Sequence, residues 1–594
     1  MTITRTFDLL NRYANNFNRN NVLNIKEKGK WKGYSAAEYI DLAHCFAYGL
    51  LSLGYHQGDK IVTISNNRPE WNFVDMGMAM LGVIHVPVFP TLSTNEYHYI
   101  LKHSDTKLAI VSNKNLFIQL SEATSDITTE IEVFSFDTIE GVKNWNEIIE
   151  LGKNYADKFR EKLESIKQKI CEEDFATLIY TSGTTGVAKG VMLSHKNLVQ
   201  NFLAASKVFG LGPNDRYLSI LPLCHVGGRM GNYQTQYSGS SIYYAENMGT
   251  IAANMKEIKP QGFDTVPRIL EKIFDSVIEK GSKLKGIKKS LFFWAVQLGL
   301  RYKLPEDSSW FYRKKHALAD KLIFTKWREA LGGNIQMAGC GGASLQPRLE
   351  RVFWACGIQI VNMYGLTETS PVITINRRSK PLLKLGSVGA LIDGVEIKIA
   401  EDGEILCKGH NVMLGYYKDK ELTDQVFDDD GWFHTGDIGH ISEEKFLKIT
   451  DRKKEIFKLS NGKFVAPQVI EGKIKESAFI EQAMVVGENE KFASALIAPN
   501  FSYLANWCKE NGLSFNGKEN IITNNKVSVL FKQEIKRINK NLSQHERISR
   551  YNLVPHIWGP DSGELSPTLK LRRKFIMEKY ADEIVKIYLK QAAL

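Results

Sequence analysis

No stretch of this 594-residue chain approaches the roughly 18 to 20 consecutive apolar residues that a bilayer-crossing helix needs, so a helical membrane span is excluded. The opening MTITRTFDLLNRYANNF has no apolar signal core, which argues against a secretory leader. Cysteine is sparse. Its seven positions, Cys45, Cys171, Cys224, Cys340, Cys356, Cys407 and Cys508, show no close pairing, and reduced thiols in a cytoplasmic protein are the expectation. Internal repeats and low-complexity linkers are absent, as are zinc-finger and RNP patterns. The net charge of +11 therefore implies no nucleic-acid partner, and a spread of solvated basic side chains accounts for it.

What is present is an ordinary globular composition, 43% hydrophobic and long enough for two or three buried cores. Strand-like runs alternate with helical ones (KIVTIS, then EWNFVDMGMAMLG, then VIHVPVF), the rhythm of an α/β protein. After Asp437 the pattern changes to short strands and turns, with KFLKIT, DRKKEIFKLSNGKFVAP, a helical VIEGKIKES and a strand-like AMVVGE. The expectation is a large α/β N-terminal domain over residues 1–450, with internal subdomains, and a small α+β C-terminal domain over residues 451–594.

The apolar, β-branched ATLIY reads as a buried strand entering TSGTTGVAKG. There Gly183, Gly186 and Gly190 let the backbone approach an anion, Thr181, Ser182, Thr184 and Thr185 offer hydroxyls, and Lys189 adds a cation. A polyphosphate suits this loop. A Walker P-loop does not fit: Ala188 and Gly190 stand where that pattern requires Gly and Ser/Thr, and VMLSH points to a returning strand, with Ser194 capping a helix that starts near His195.

Further candidates lie far apart. Tyr364 can stack on a base, Thr367 can bond a phosphate, and Glu368 can hold Mg²⁺ through hard oxygens. In MAGCGGASL, bare glycine backbone can take a flat base, while Asp437 can accept ribose hydroxyls with Arg452 fifteen residues on.

The ordered motifs YTSGTTGVAKG, NMYGLTETSPV, GWFHTGDIG and DRKKEIFKLSNGKFVAP resemble the adenylate-forming superfamily of acyl-CoA ligases, over roughly residues 31–580. The resemblance implies a multi-subdomain adenylate-forming domain plus a mobile C-terminal domain, with ATP, Mg²⁺ and coenzyme A as the small molecules used. It places Gly341, Gly342, Ala343, Asn362, Met363, Tyr364, Gly365 and Thr367 around the nucleotide, Glu368 and Thr184 at the metal, and Asp437 and Arg452 on the ribose. GELSPTLKLRRKF resembles the family's closing motif and makes Lys570 the adenylating lysine, with Lys574 as the alternative; Leu569 stands where glycine is commoner. His225 is implied beside the acyl carboxylate, Lys454 at the hinge, and Lys458, Ser460, Asn461 and Gly462 near the thiol channel.

The segments from Asp264 to Lys280 and around Phe292, Phe293, Trp294, Trp310, Phe311 and Tyr312 resemble long-chain fatty acid–CoA ligases, although such aromatics also serve simply as helix packing. The expected activity is thus a long-chain fatty acid–CoA ligase working on fatty acid, ATP and coenzyme A. The ending EIVKIYLKQAAL suggests no appended carrier module. The alternatives are an acyl-AMP ligase loading a separate carrier protein, a ligase for another bulky acid, and a nucleotide-binding regulator with a dead site. Further expectations are a homodimer and peripheral attachment at the inner face of the membrane, where Lys288, Lys289, Arg301, Arg313, Lys314 and Lys315 would meet anionic lipid.

Overall fold

The computed structural model describes residues 2–125, 127, 131–182 and 188–589. A nine-stranded sheet has a parallel centre, in the order Gln359–Gly365, Met337–Cys340, Gly262–Thr265, Arg216–Ser219, Ser241–Tyr244 and Leu23–Glu27. An eight-stranded sheet is built around Phe175–Ser182, Ile84–Val88, Lys60–Ile64 and Leu108–Val111. Between the two sheets lie helices Ala36–Ser52, Pro69–Leu81, His195–Phe209 and Val226–Ser238, sharing one buried core with both.

Alternation along the strands decides which side each residue serves. Leu218, Phe263, Ala338 and Ile360 face an outer helical layer that includes Phe292 and Trp327. Tyr217, Met337 and Val361 face the inner helices. The aromatics of Gly286–Leu300 therefore divide by environment: Phe292 is core, with its ring 6.0 Å from Trp327, while Trp310 and Phe311 on the following helix are exposed.

A four-stranded antiparallel sheet ends in the hairpin Phe433–Ser442 and Phe446–Arg452. Beyond it, a three-stranded sheet of Ile480–Val486, Ser494–Pro499 and Arg550–Leu553 packs with helices Pro467–Ile474 and Asn525–Asn539 around cores of its own. This unit docks on helix Pro267–Ser282 through Arg268 with Glu481, and through Lys475, 3.8 Å from Glu271. Among the described residues the cysteines are all unpaired, and no helix is long and apolar enough to cross a membrane.

One buried polar cluster ties the inner layer together. Asp75 on Pro69–Leu81 accepts from His85 Nδ1 at 2.7 Å and from Arg229 and Tyr233 on Val226–Ser238, while Arg229 Nη1 donates to Thr177 at 2.7 Å. Burial alone would favour a neutral Asp75, but the Arg229 guanidinium and the donated hydrogen bonds hold its carboxyl below the usual range. Removing one partner of a buried pair strands the other charge, at a cost of about 3–5 kcal/mol. Arg229→Met is therefore expected to lower stability by about that much, read from urea unfolding. A loss below about 1 kcal/mol, the range of an exposed pair, would contradict this picture.

Candidate active site

The strand Phe175–Ser182 turns straight back as Ala188–Ser194, pairing Thr181 with Lys189, and the Ser194 side chain caps helix His195–Phe209 by accepting from Asn197 N. This is a hairpin and not the strand-to-helix passage of a Walker loop. Gly183, Thr184, Thr185 and Gly186 lie outside the described residues, and of Ser182 only the backbone strand is described. Beside the hairpin, the short strand Gly415–Tyr416 pairs with Met192 and Val191. It delivers Tyr416, whose hydroxyl donates to Glu368 Oε1 at 2.9 Å and whose ring lies 5.1 Å from Lys189 Nζ. Burial, reinforced by the nearby Lys454 charge, lowers the Lys189 pKa, with Glu368 opposing. A cation held this way is poised for an anionic ligand.

Across the cleft, the parallel strand Met337–Cys340 ends in Gly341, Gly342 and Ala343; Gly342 has φ +80°, a left-handed conformation that suits glycine. The neighbouring strand Gln359–Gly365 carries Asn362, Met363 and Tyr364. Asn362 Nδ2 donates to the Ser387 carbonyl at 3.0 Å, so its side chain is spent on anchoring the strand, and Met363 packs on the core. Gly365 passes so close to Pro371 O that a Cβ would collide, and the single turn Thr367–Thr369 follows, carrying Thr367 and Glu368.

Tyr364 donates its hydroxyl to Asp437 Oδ2 at 2.9 Å. Asp437 and Arg452, fifteen residues apart in sequence, are cross-strand partners in the antiparallel hairpin, with Arg452 Nε 3.2 Å from Asp437 Oδ1. Burial raises the Asp437 pKa, and Arg452 and Tyr364 counter it. Such a carboxylate keeps acceptor capacity for sugar hydroxyls.

Lys570 enters from the C-terminal unit into this cleft. Water still reaches the side chain, yet crowding by protein lowers its pKa to about 8; Arg452 adds to the effect while Asp437, Glu368 and Glu455 oppose it. His225, the N-cap of helix Val226–Ser238, feels the Lys570 charge, and burial first and that charge second lower its pKa to about 4, leaving a neutral imidazole that accepts from Gly227 N at 3.0 Å. Lys189, Glu368, Tyr364, Asp437, Arg452, Lys454, Lys570 and His225 thus converge. Lys574 is exposed on helix Arg573–Lys579. Lys458, Ser460, Asn461 and Gly462 are exposed around the hairpin of Phe457–Lys458 and Phe464–Val465, and none of their described hydrogen bonds reaches the Lys570 cluster.

Three supporting residues escaped the sequence reading. Tyr416 is 48 positions from Glu368, and only the strand pairing reveals their contact. Arg573, three residues after Lys570, donates to Glu455 Oε2 at 2.7 Å and to both Glu471 oxygens at 2.8 and 2.7 Å, tying the lysine loop to the segment just after Lys454. Within that loop, Lys570 N donates to Ser566 Oγ at 3.1 Å, and Leu569 sits at φ +62°. That left-handed conformation explains why glycine is the easier residue there and marks strain beside a functional side chain.

The AMP-binding enzyme model matches residues 10–417, and the AMP-binding enzyme C-terminal domain model matches residues 454–592. The chain is 32% identical over 577 residues to the long-chain-fatty-acid–CoA ligase FadD15 of Mycobacterium tuberculosis, spanning 95% of this chain and 93% of that one. It is 28% identical over 612 residues to the human long-chain-fatty-acid–CoA ligase ACSBG2, spanning 97% and 91%. Among solved structures, the A domain of the carboxylic acid reductase from Segniliparus rugosus, in complex with AMP and a co-purified carboxylic acid, shares the fold with TM-score 0.76 at 20% identity, covering 99% of this chain and 94% of that one. The O-succinylbenzoate coenzyme A synthetase of Bacillus subtilis, with ATP and magnesium, shares it with TM-score 0.65 at 18% identity, covering 96% and 98%.

A lysine with a pKa near 8 is charged below that pH and neutral above it, so its pull on an anion fades as pH rises. Calorimetric affinity for AMP is expected to fall with a midpoint near pH 8, and Lys570→Met is expected to flatten that limb. A wild-type affinity that ignores pH through this range would show that Lys570 does not face the bound anion.

Proposed function

Since the chain belongs to the AMP-binding enzyme family, we propose that it is an ATP-dependent long-chain fatty acid–CoA ligase. The observation that carries this reading is the convergence of Lys570, Asp437, Arg452 and Glu368 in one cleft. A fatty carboxylate oxygen attacks the α-phosphorus of ATP, pyrophosphate leaves, and an acyl adenylate forms. The charge that builds on phosphate oxygens needs fixed cations, and Lys570 and Lys189 supply them from opposite sides of the cleft. Asp437 and Arg452 hold the ribose, Tyr364 lies along the adenine, and neutral His225 borders the acyl carboxylate without adding a competing charge. Glu368, with one oxygen committed to Tyr416, would with Thr184 hold Mg²⁺ through hard oxygen ligands, and the ion would supply charge neutralisation.

In the second half-reaction the unit that follows the hairpin of Asp437 and Arg452 swings about Lys454. Lys570 leaves, and the turn of Ser460, Asn461 and Gly462, with Lys458, comes to the thiol entrance. The coenzyme A thiolate attacks the acyl carbon and AMP departs with one oxygen of the original carboxylate. A thiol of pKa about 8.5 is partly ionised near neutrality, so no strong enzymic base is required. Domain alternation then accounts for two observations together: the exposed turn at residues 460–462, and a lysine loop strapped to Glu455 beside the hinge.

The acid is proposed to reach the enzyme from an anionic membrane surface. Trp310 and Phe311 are 57% and 72% exposed on a helix that also exposes Arg313, Lys314 and Lys315, and Ile287, 86% exposed, is followed by exposed Lys288 and Lys289. Apolar tips set among cations suit interfacial insertion. Co-sedimentation with anionic vesicles is expected and should weaken with salt and with Trp310→Ser/Phe311→Ser. Vesicle binding that is absent at low salt would overturn this part.

Lys570→Ala is expected to abolish fatty-acid-dependent pyrophosphate exchange while largely sparing thioester formation from supplied acyl-AMP. Equal loss of both steps would contradict the role given to Lys570. Accumulation of acyl-AMP that added coenzyme A leaves untouched would favour a carrier-protein acceptor.

A further inference from the structure

The loop that carries Lys570 is a small antiparallel hairpin. Arg572 N donates to Glu564 O at 2.8 Å, Leu565 bridges Leu571, and Ser566 N donates to Lys570 O at 2.7 Å. At the tip, Leu569 N donates to Ser566 O at 2.8 Å and closes a turn with Pro567 and Thr568 at its centre. Proline presets φ at the first central position, and Thr568 is not among the residues of positive φ, which fits a type I turn. Leu569 and Lys570 then stand opposite the single Ser566, with Leu569 left-handed at φ +62°. This is the G1 bulge of a three-residue hairpin loop, and its first residue is ordinarily glycine, for which the left-handed region carries no steric cost.

A leucine at this position bears strain, and its surroundings show what it gains. Leu569 and Leu571, on either side of Lys570, both pack against the apolar core that contains Trp558, Leu565, Ile576 and Tyr580, while Lys570 itself is exposed. The stem is fastened to the same core: buried Glu564 accepts from Lys579 Nζ at 2.7 Å and from the Tyr580 hydroxyl at 3.0 Å. The bonds of Ser566 Oγ with Lys570 N and Thr568 Oγ1 stay within the loop, so they set its shape and not its direction. Arg573 braces the exit of the hairpin, and Leu569 ties the tip to the core of the C-terminal unit.

Resting on the ligase reading above, we propose that Leu569 is a positioning residue for Lys570: its side chain anchors the bulge on the core of the C-terminal unit, so that the following lysine is held outward in one direction, into the cleft. Bulges beside active sites commonly re-aim a side chain in this way. Burial of the leucine offsets the strain of its backbone, whereas a glycine would be relaxed but unanchored. Backbone ease and side-chain aim therefore oppose one another at this position, and leucine favours aim. The Lys570 pKa, lowered first by crowding and then by Arg452, agrees with an ammonium held in one place. A misplacement of about 1 Å can cost about a hundredfold in rate, so the anchor bears on the adenylating step itself.

The test compares Leu569→Gly with Leu569→Met, which keeps an apolar side chain of similar volume. In Leu569→Gly, kcat for fatty-acid-dependent pyrophosphate exchange is expected to fall about tenfold or more, with thioester formation from supplied acyl-AMP largely spared. Leu569→Met should stay close to the wild type. The midpoint near pH 8 at which calorimetric affinity for AMP declines should move upward in Leu569→Gly, towards the ordinary lysine range, and hold in Leu569→Met. A leucine with a merely structural role would instead lower the urea midpoint and depress both half-reactions alike. Exchange in Leu569→Gly equal to the wild type, equal loss of both steps, or an unmoved AMP midpoint overturns the anchor. Failure of the wild-type protein to exchange pyrophosphate with any fatty acid would sink the ligase reading, while the AMP titrations would still decide the anchor.

Discussion

The pairing of Asp437 with Arg452 is the constraint around which the cleft is arranged. Asp437 is 4% exposed and burial pushes its pKa upward, so its carboxylate persists only because Arg452 stands opposite it in the hairpin and Tyr364 donates from the parallel sheet. Three pieces of the chain are thereby fixed to one another: the end of the large sheet, the four-stranded sheet, and the segment that leads into the C-terminal unit. Lys570 then comes to a site already populated by charge, and the same Arg452 that stabilises Asp437 helps to lower the Lys570 pKa. A lysine that is easily neutralised and carried on a separate unit is well suited to come and go.

The lysine loop is held by hydrogen bonds on both sides of Lys570. Arg573 fastens the loop to Glu455 and Glu471, so the lysine is braced by its own unit. The unit meets the large domain through Arg268 with Glu481 and Lys475 with Glu271.

Much of this was legible in the sequence, for identifiable reasons. β-Branched runs broken by glycine revealed the hairpin between Phe175 and Ser194 and ruled out a Walker loop, because both depend on local backbone preferences. Asp437 and Arg452 could be named separately, but their pairing follows from hairpin register, which local sequence specifies weakly. Asn362, two residues before Tyr364 and so on the same side of the strand, donates its amide to the Ser387 carbonyl, a partner 25 residues away that local sequence does not specify. Tyr416 and Arg573 were missed since their partners are distant in sequence or lie on another element. The aromatics near Phe292 divided into core and surface, a distinction that periodicity alone does not make.

The central claim is that the cleft joins a carboxylate oxygen to the α-phosphorus of ATP, and isotope transfer reads that bond directly. With a fatty acid labelled with oxygen-18 in its carboxylate, complete turnover should deliver one labelled oxygen into AMP, leaving pyrophosphate unlabelled. Unlabelled AMP, or label recovered in inorganic phosphate alongside ADP, would mean that the acid is activated by another route and that the convergence of Lys570, Asp437 and Arg452 serves a different reaction.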